Sequence, residues 1–182
     1  MRKTTGGLLA MLGMLATSEA HAQFANRSLG AGLGFIKLLG DSSAPGATGV
    51  DFAVPLTLEG SMYLENGFDL YLHVPLLLLQ VSSGAFTASG AGLVMGTGGH
   101  AGVRFLFSEE TLRPYVGIEL AGFYLFTKQP IWFIGPGVVL GLEYFVADTV
   151  AIGARGFFDL FIELNFSPRP SFGGGLSVAF YF

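Results

Sequence analysis

The sequence contains no cysteine. No disulfide framework and no thiolate metal site can therefore be built from it. Charge is scarce as well: Asp, Glu, Lys and Arg make up 12% of the 182 residues, and hydrophobic residues make up 51%. A soluble surface carries about 25–35% charged residues, so this chain is poorly equipped to face water all round. It also lacks long apolar runs. Beyond the N-terminus nothing approaches the roughly 18 consecutive apolar residues of a membrane-spanning helix. Hydrophobicity without such runs points to strands that cross a bilayer by alternation. The net charge of −4 argues against a nucleic-acid partner.

What is present begins with the N-terminus. Arg2 and Lys3 give a positive start, Leu8 to Ala16 form a short apolar core, and Ala20-His21-Ala22 is a small-x-small cleavage pattern. These features predict a cleavable signal peptide over residues 1–22, with Gln23 opening a single mature domain over 23–182. The core is too short for a membrane anchor. With His21 removed, His73 and His100 are the mature chain's imidazoles.

Period-two alternation then runs through the chain. Val50, Phe52, Val54, Leu56, Leu58, Gly60, Met62 and Leu64 share one face of a strand, and Asp51, Ala53, Pro55, Thr57, Glu59, Ser61, Tyr63 and Glu65 share the other. The period of two is the signature of a strand. The same pattern recurs from Phe68 to Leu78, from Val150 to Glu163 and from Ser171 to Phe182. Less regular strands are expected at about Leu29–Leu39, Leu93–Phe107, Tyr115–Phe126 and Trp132–Val146, for eight in all. Each is near or above the roughly 9–11 residues of a tilted transmembrane strand.

Parity also constrains the turns. Leu64 and Phe68 share a face, as do Val146 and Val150, which predicts three-residue loops at Glu65-Asn66-Gly67 and Ala147-Asp148-Thr149. Gly67 supplies a positive φ. Ser108–Arg113 is a longer turn at the same end. Gly40–Gly49, Ser82–Ala91, Thr127–Ile131 and Asn165–Pro170 connect the strands at the other end. Tight turns face the periplasm in such barrels and longer loops face outward. Pro55, Pro75 and Pro136 interrupt strands that have no free edge, so bulges are expected there. Lys37 falls on the apolar face by strict parity. It either snorkels at the outer rim or turns inward at a bulge near Ile36.

A soluble lipocalin-like barrel would put the apolar face inside and a charged face outside. Here the second face is mainly Gly, Ala, Pro and aromatic residues with scattered charges, a poor water surface. The apolar face is nearly free of charge, as lipid demands. Aromatics gather at both of its ends: Phe35, Phe52, Tyr124, Trp132 and Phe172 at the outer, and Phe68, Phe107, Tyr144, Phe180 and Phe182 at the inner. The final strand ends on Phe182, which resembles the C-terminal signature that the bacterial barrel-assembly machinery reads. Together these patterns resemble the small OmpA/OmpX-type outer-membrane barrels. The resemblance implies an all-β, eight-stranded antiparallel up-and-down transmembrane barrel, exported through the periplasm to the outer membrane. Its partners would be membrane lipid including lipopolysaccharide and the assembly machinery, and a monomer is favoured.

An eight-stranded barrel is just wide enough for side chains to fill. Six inward residues lie a few positions above the tight turns: Glu59, His73, Arg104, Glu119, Glu143 and Arg155. Glu59 is expected opposite His73, Arg104 near Glu119, and Glu143 diagonal to Arg155. The expectation is one buried, satisfied charge layer. Asp51, Asp159 and Glu163 are expected as solvated charges at the outer mouth. No catalytic, cofactor-binding or metal residues are expected. The outer-membrane lipid A deacylases carry a His-x-Ser pair, whereas His73 precedes Val74-Pro75 and His100 precedes Ala101-Gly102. The Gly96-Thr97-Gly98-Gly99 stretch lacks the Lys and helix of a phosphate loop. Lumen glycines such as Gly98, Gly102, Gly137, Gly141, Gly173 and Gly175 instead make room for inward Tyr71, Phe145, Phe157 and Phe161. The expected role is structural, with a narrow channel or small-ligand transporter as the alternative. A loop-borne adhesin is disfavoured by short loops with few aromatics, and a lipid-modifying enzyme by the missing His-x-Ser pair.

Overall fold

The computed structural model describes residues 26–39, 50–82, 93–126, 131–163 and 168–182. The expected signal peptide and most of the residues of the four longer loops lie outside them. Eight strands form one closed antiparallel barrel in sequence order: β1 (Arg27–Leu38), β2 (Val50–Tyr63), β3 (Phe68–Ser82), β4 (Leu93–Leu106), β5 (Leu112–Leu125), β6 (Ile131–Ala147), β7 (Val150–Glu163) and β8 (Arg169–Tyr181). β1 and β8 pair from Ser28↔Tyr181 to Leu38↔Ser171 and close the wall. Phe182 and Arg27 exchange backbone hydrogen bonds in both directions at the seam.

One row of paired residues gives the stagger. Ser28 faces Ser61, and the row continues through Tyr71, Gly102, Glu119, Gly137, Asp159 and Ser171 to Leu38. It returns to β1 ten residues beyond its start. Such a shear is how a closed sheet of tilted strands meets itself.

The two faces of each strand separate as the alternation predicts. Leu33, Leu72, Ile118, Leu140 and Leu176 are among the many large apolar side chains exposed on the outer wall, Ile118 to 69%. Tyr71, Phe123, Phe133, Phe157 and Phe161 are buried in the lumen. Aromatic clusters band the outer wall at both ends. At the loop end Phe35 stacks on Phe52 and meets Phe172 edge-on, both at 6.3 Å, and Tyr124 lies 4.5 Å from Trp132. At the turn end Phe68, Phe105 and Phe107 form a chain at 5.3 and 5.4 Å. Lys37 obeys strict parity. Ile36 and Leu38 point inward and are buried, the register past them is unbroken, and Lys37 pairs with Phe52 and Phe172 on the outer side. The inward alternative is thereby excluded.

The first turn has the positive φ predicted at Gly67, but it closes over two residues rather than the expected three. Asn66 and Gly67 both take positive φ, 54° and 84°. Phe68 N–H donates to Glu65 O, and Leu64 N–H donates to Phe68 O. A primed Asn-Gly turn thus sits on a bulge in which Leu64 and Glu65 both oppose Phe68. The second turn differs from the expected three residues. Ala147 pairs with Val150, so Asp148-Thr149 is a two-residue turn, and a register shift between Phe145 and Ala147 absorbs the odd residue. Parity counts the extra residue correctly but cannot say whether it sits in the loop or in a bulge.

Of the three strand prolines, only Pro75 lies at a bulge as expected. Both ladders of β3 shift register around Pro75, between Leu56 and Thr57 in the β2–β3 pairing and between His73 and Leu78 in the β3–β4 pairing, with Leu76 as the extra residue in the first. Pro55 pairs with Leu78 in register, and the β1–β2 ladder lacks pairs at Val54 and Pro55 before resuming in the same register. Pro136 does not sit in a bulge. β5–β6 pairing runs through it in register, and the β6–β7 ladder simply lacks pairs at Gly135 and Pro136 before resuming in the same register. The missing N–H is tolerated as a local gap rather than as an extra residue.

Candidate functional site: a buried charge network in the lumen

The barrel brings all six predicted lumen residues inside, but in two groups rather than one layer. The lower group centres on Arg104. Asp69 is its directly paired neighbour on β3, and the guanidinium bonds that carboxylate through Nε at 2.8 Å and Nη2 at 2.6 Å. Nη2 also reaches Glu143 at 2.8 Å, and Tyr181 donates its hydroxyl to Glu143. The Tyr115 ring lies 4.5 Å from the guanidinium carbon. Arg104 therefore pairs with Asp69 and Glu143, not with Glu119 as the sequence suggested. The residue directly opposite is closer than the diagonal one.

The upper group centres on Arg155. Glu59 and His73 are paired across β2–β3 as predicted, with Nδ1 to Oε1 at 3.4 Å. Arg155 Nη1 lies 2.6 Å from the same His73 nitrogen, and Nη2 lies 3.2 Å from Glu119 Oε2. Glu119 also accepts a hydrogen bond from the Tyr71 hydroxyl. Glu143 is diagonal to Arg155 in the register, since Gly141 pairs with Arg155 and Glu143 with Gly153. The two do not pair as ions, because Arg155 turns to Glu119 while Glu143 turns to Arg104. Tyr71 joins the groups, with its hydroxyl on Glu119 and Arg104 5.7 Å from its ring.

Asp159 departs furthest from expectation. It is not a solvated rim charge: its exposure is 0%. Oδ2 lies 3.2 Å from His100 Nε2 and accepts from Ser171 Oγ at 3.4 Å. Its β7 position lies in the same row as Glu119, with only Gly137 between them. The side chains of Asp51 and Glu163 lie outside what is described. Asp69, His100 and Asp159 were each legible as inward by parity. Their partners were not, because contacts across the lumen depend on the stagger.

The glycines explain how so many large groups fit. A Cβ on Gly102 would meet the Tyr71 hydroxyl at 2.9 Å, one on Gly141 would meet the Tyr115 hydroxyl at 2.5 Å, and one on Gly173 would collide with the Phe157 ring. Around a row, large and small residues alternate: Tyr71, Gly102, Glu119, Gly137, Asp159. Toward the loop end, Phe123 and Phe133 each pack edge-on against Phe161, at 5.6 and 5.9 Å, and form an apolar stopper above the charges. Between stopper and charges lies a cavity of ≈ 30 Å³ lined in part by Glu59, His73, His100, Arg155 and Phe157. It holds roughly two waters.

No protein-family model and no curated protein matches this chain. Solved structures do resemble it. Neisserial surface protein A is similar over 86% of this chain and 97% of that one, with a TM-score of 0.62 at 14% identity. The outer membrane protein OprG from Pseudomonas aeruginosa covers 88% and 97%, with a TM-score of 0.62 at 10% identity. The N-terminal β-barrel domain of Pseudomonas aeruginosa OprF covers 88% and 100%, with a TM-score of 0.56 at 16% identity. The likeness is one of fold: this chain is built as the eight-stranded closed barrel of small outer-membrane proteins.

Proposed function

We propose that the protein is an integral outer-membrane barrel with a plugged lumen and a structural role in the envelope. The observation that carries this reading is the inversion of polarity. Large apolar side chains cover the outer wall and ion pairs fill the interior. Water would penalise that outer wall, because monomeric soluble proteins rarely expose apolar patches beyond a few hundred Å². Lipid would welcome it, and the aromatic bands match the two interfaces. On this reading the tight turns face the periplasm, the strand ending near Phe182 is read by the assembly machinery, and lipid including lipopolysaccharide surrounds the wall. The role is non-catalytic.

The experiment is fractionation of cells expressing the full chain, with gel migration compared before and after boiling. The protein should sediment with outer membranes and shift on boiling, and deleting its gene should sensitise cells to detergent. Recovery in the soluble periplasm with no shift would overturn the location. A second reading, a narrow channel, draws on the small polar cavity beside Arg155. The Phe123–Phe161–Phe133 stopper above it favours the plug.

A further inference from the structure

We propose that His100, Glu119 and Asp159 form a buried site for one divalent transition-metal ion of the zinc class. His100 Nε2 lies 3.2 Å from Asp159 Oδ2 and 3.8 Å from Glu119 Oε1, and one ligand atom from each residue falls within 4.8 Å of the others. Ligands about 2.0–2.2 Å from a tetrahedral ion stand roughly 3.3–3.6 Å apart, so the His100–Asp159 pair is already at that spacing and the widest pair must close by roughly 1–1.5 Å. One imidazole and two carboxylates, without thiolate, suit a borderline ion.

Two further observations point to a cation. First, Asp159 is fully buried and its Oδ1 has no hydrogen-bond partner. Second, Glu119 is oriented as a ligand. Tyr71 and Arg155 hold Oε2, and Oε1, which accepts a longer bond from Arg155 Nη2 at 3.4 Å, lies 3.8 Å from His100 Nε2. Support of this kind fixes metal ligands in place. Gly137 makes the approach possible, because it separates Glu119 from Asp159 in the row and its Cβ would collide with the Asp159 carboxylate. The cavity beside His100 has room for a water as fourth ligand. The site is independent of where the barrel resides.

The test is Co²⁺ titration of the full folded chain in detergent, with the ion added before or during refolding and visible absorption as the readout. Bands of a nitrogen–oxygen site should appear, saturate at one equivalent and disappear on adding Zn²⁺. His100→Gln and Asp159→Asn should each weaken binding by more than the ~10-fold typical of losing an outer-shell partner. Two variants are used so that either decides if the other fails to fold. Absence of saturable bands in the wild type, or bands undiminished in a folded variant, would overturn the site.

Discussion

At the scale of single residues, the lumen is a set of large groups admitted by glycine and neutralised by neighbours. Gly137 carries the sharpest dependence. A methyl group there would occupy the space of the Asp159 carboxylate. Gly137→Ala should cost about 1–3 kcal/mol as an overpacked site, measured by urea unfolding from lipid vesicles. Gly60→Ala should be nearly silent in the same assay, since its nearest neighbour is the Ser28 carbonyl at 3.7 Å. Arg104 is the converse case. Arg104→Met leaves Asp69 and Glu143 buried without their cation, which should cost about 3–5 kcal/mol. Adding Asp69→Asn and Glu143→Gln should recover most of the loss. A single and triple variant of equal stability would show that the ion pairs are not what holds this layer.

At the scale of strands and turns, the sequence was most legible where alternation was strict. The span predicted for β7 is the one observed, and β2 starts where predicted. The outward and inward faces followed because a period of two admits one answer once one face is apolar. Three things were not legible. Parity could not place the odd residue near Val146, because a bulge and a longer loop count alike. It could not say that Pro55 and Pro136 leave gaps in a ladder whereas Pro75 sits at a bulge. It could not choose partners for Arg104 or Arg155, because a stagger of ten residues decides which row meets which. Two measurements belong at this scale. Gly67→Ala forces a side chain into φ 84°, with its Cβ 2.9 Å from the Phe105 ring; it should cost at least the roughly 1–2 kcal/mol of a left-handed residue. Pro136→Val should restore a ladder donor to the β6–β7 pairing and slow amide exchange there, with a gain of about 0.5–1.5 kcal/mol. Faster exchange at Leu160 and Phe161 would contradict the gap.

At the scale of the whole molecule, the fold exchanges the usual places of oil and charge. The wall is dressed for hydrocarbon, with Lys37 among aromatics at one end, and the interior holds ions paired with one another. Leu140, near the middle of β6 and widely exposed, tests the dress of the wall. Leu140→Lys should destabilise the folded barrel in lipid by about 2–4 kcal/mol and should have little effect if water is the true surround. The central claim concerns the interior: ion pairs around Arg104 and Arg155, capped by Phe123, Phe133 and Phe161, close the barrel to ions. Conductance of the purified, refolded protein in a planar bilayer tests it most directly. The account predicts a silent bilayer at protein levels where heat-shift gels show full insertion. Steady, large conductance steps from the same preparation would contradict it.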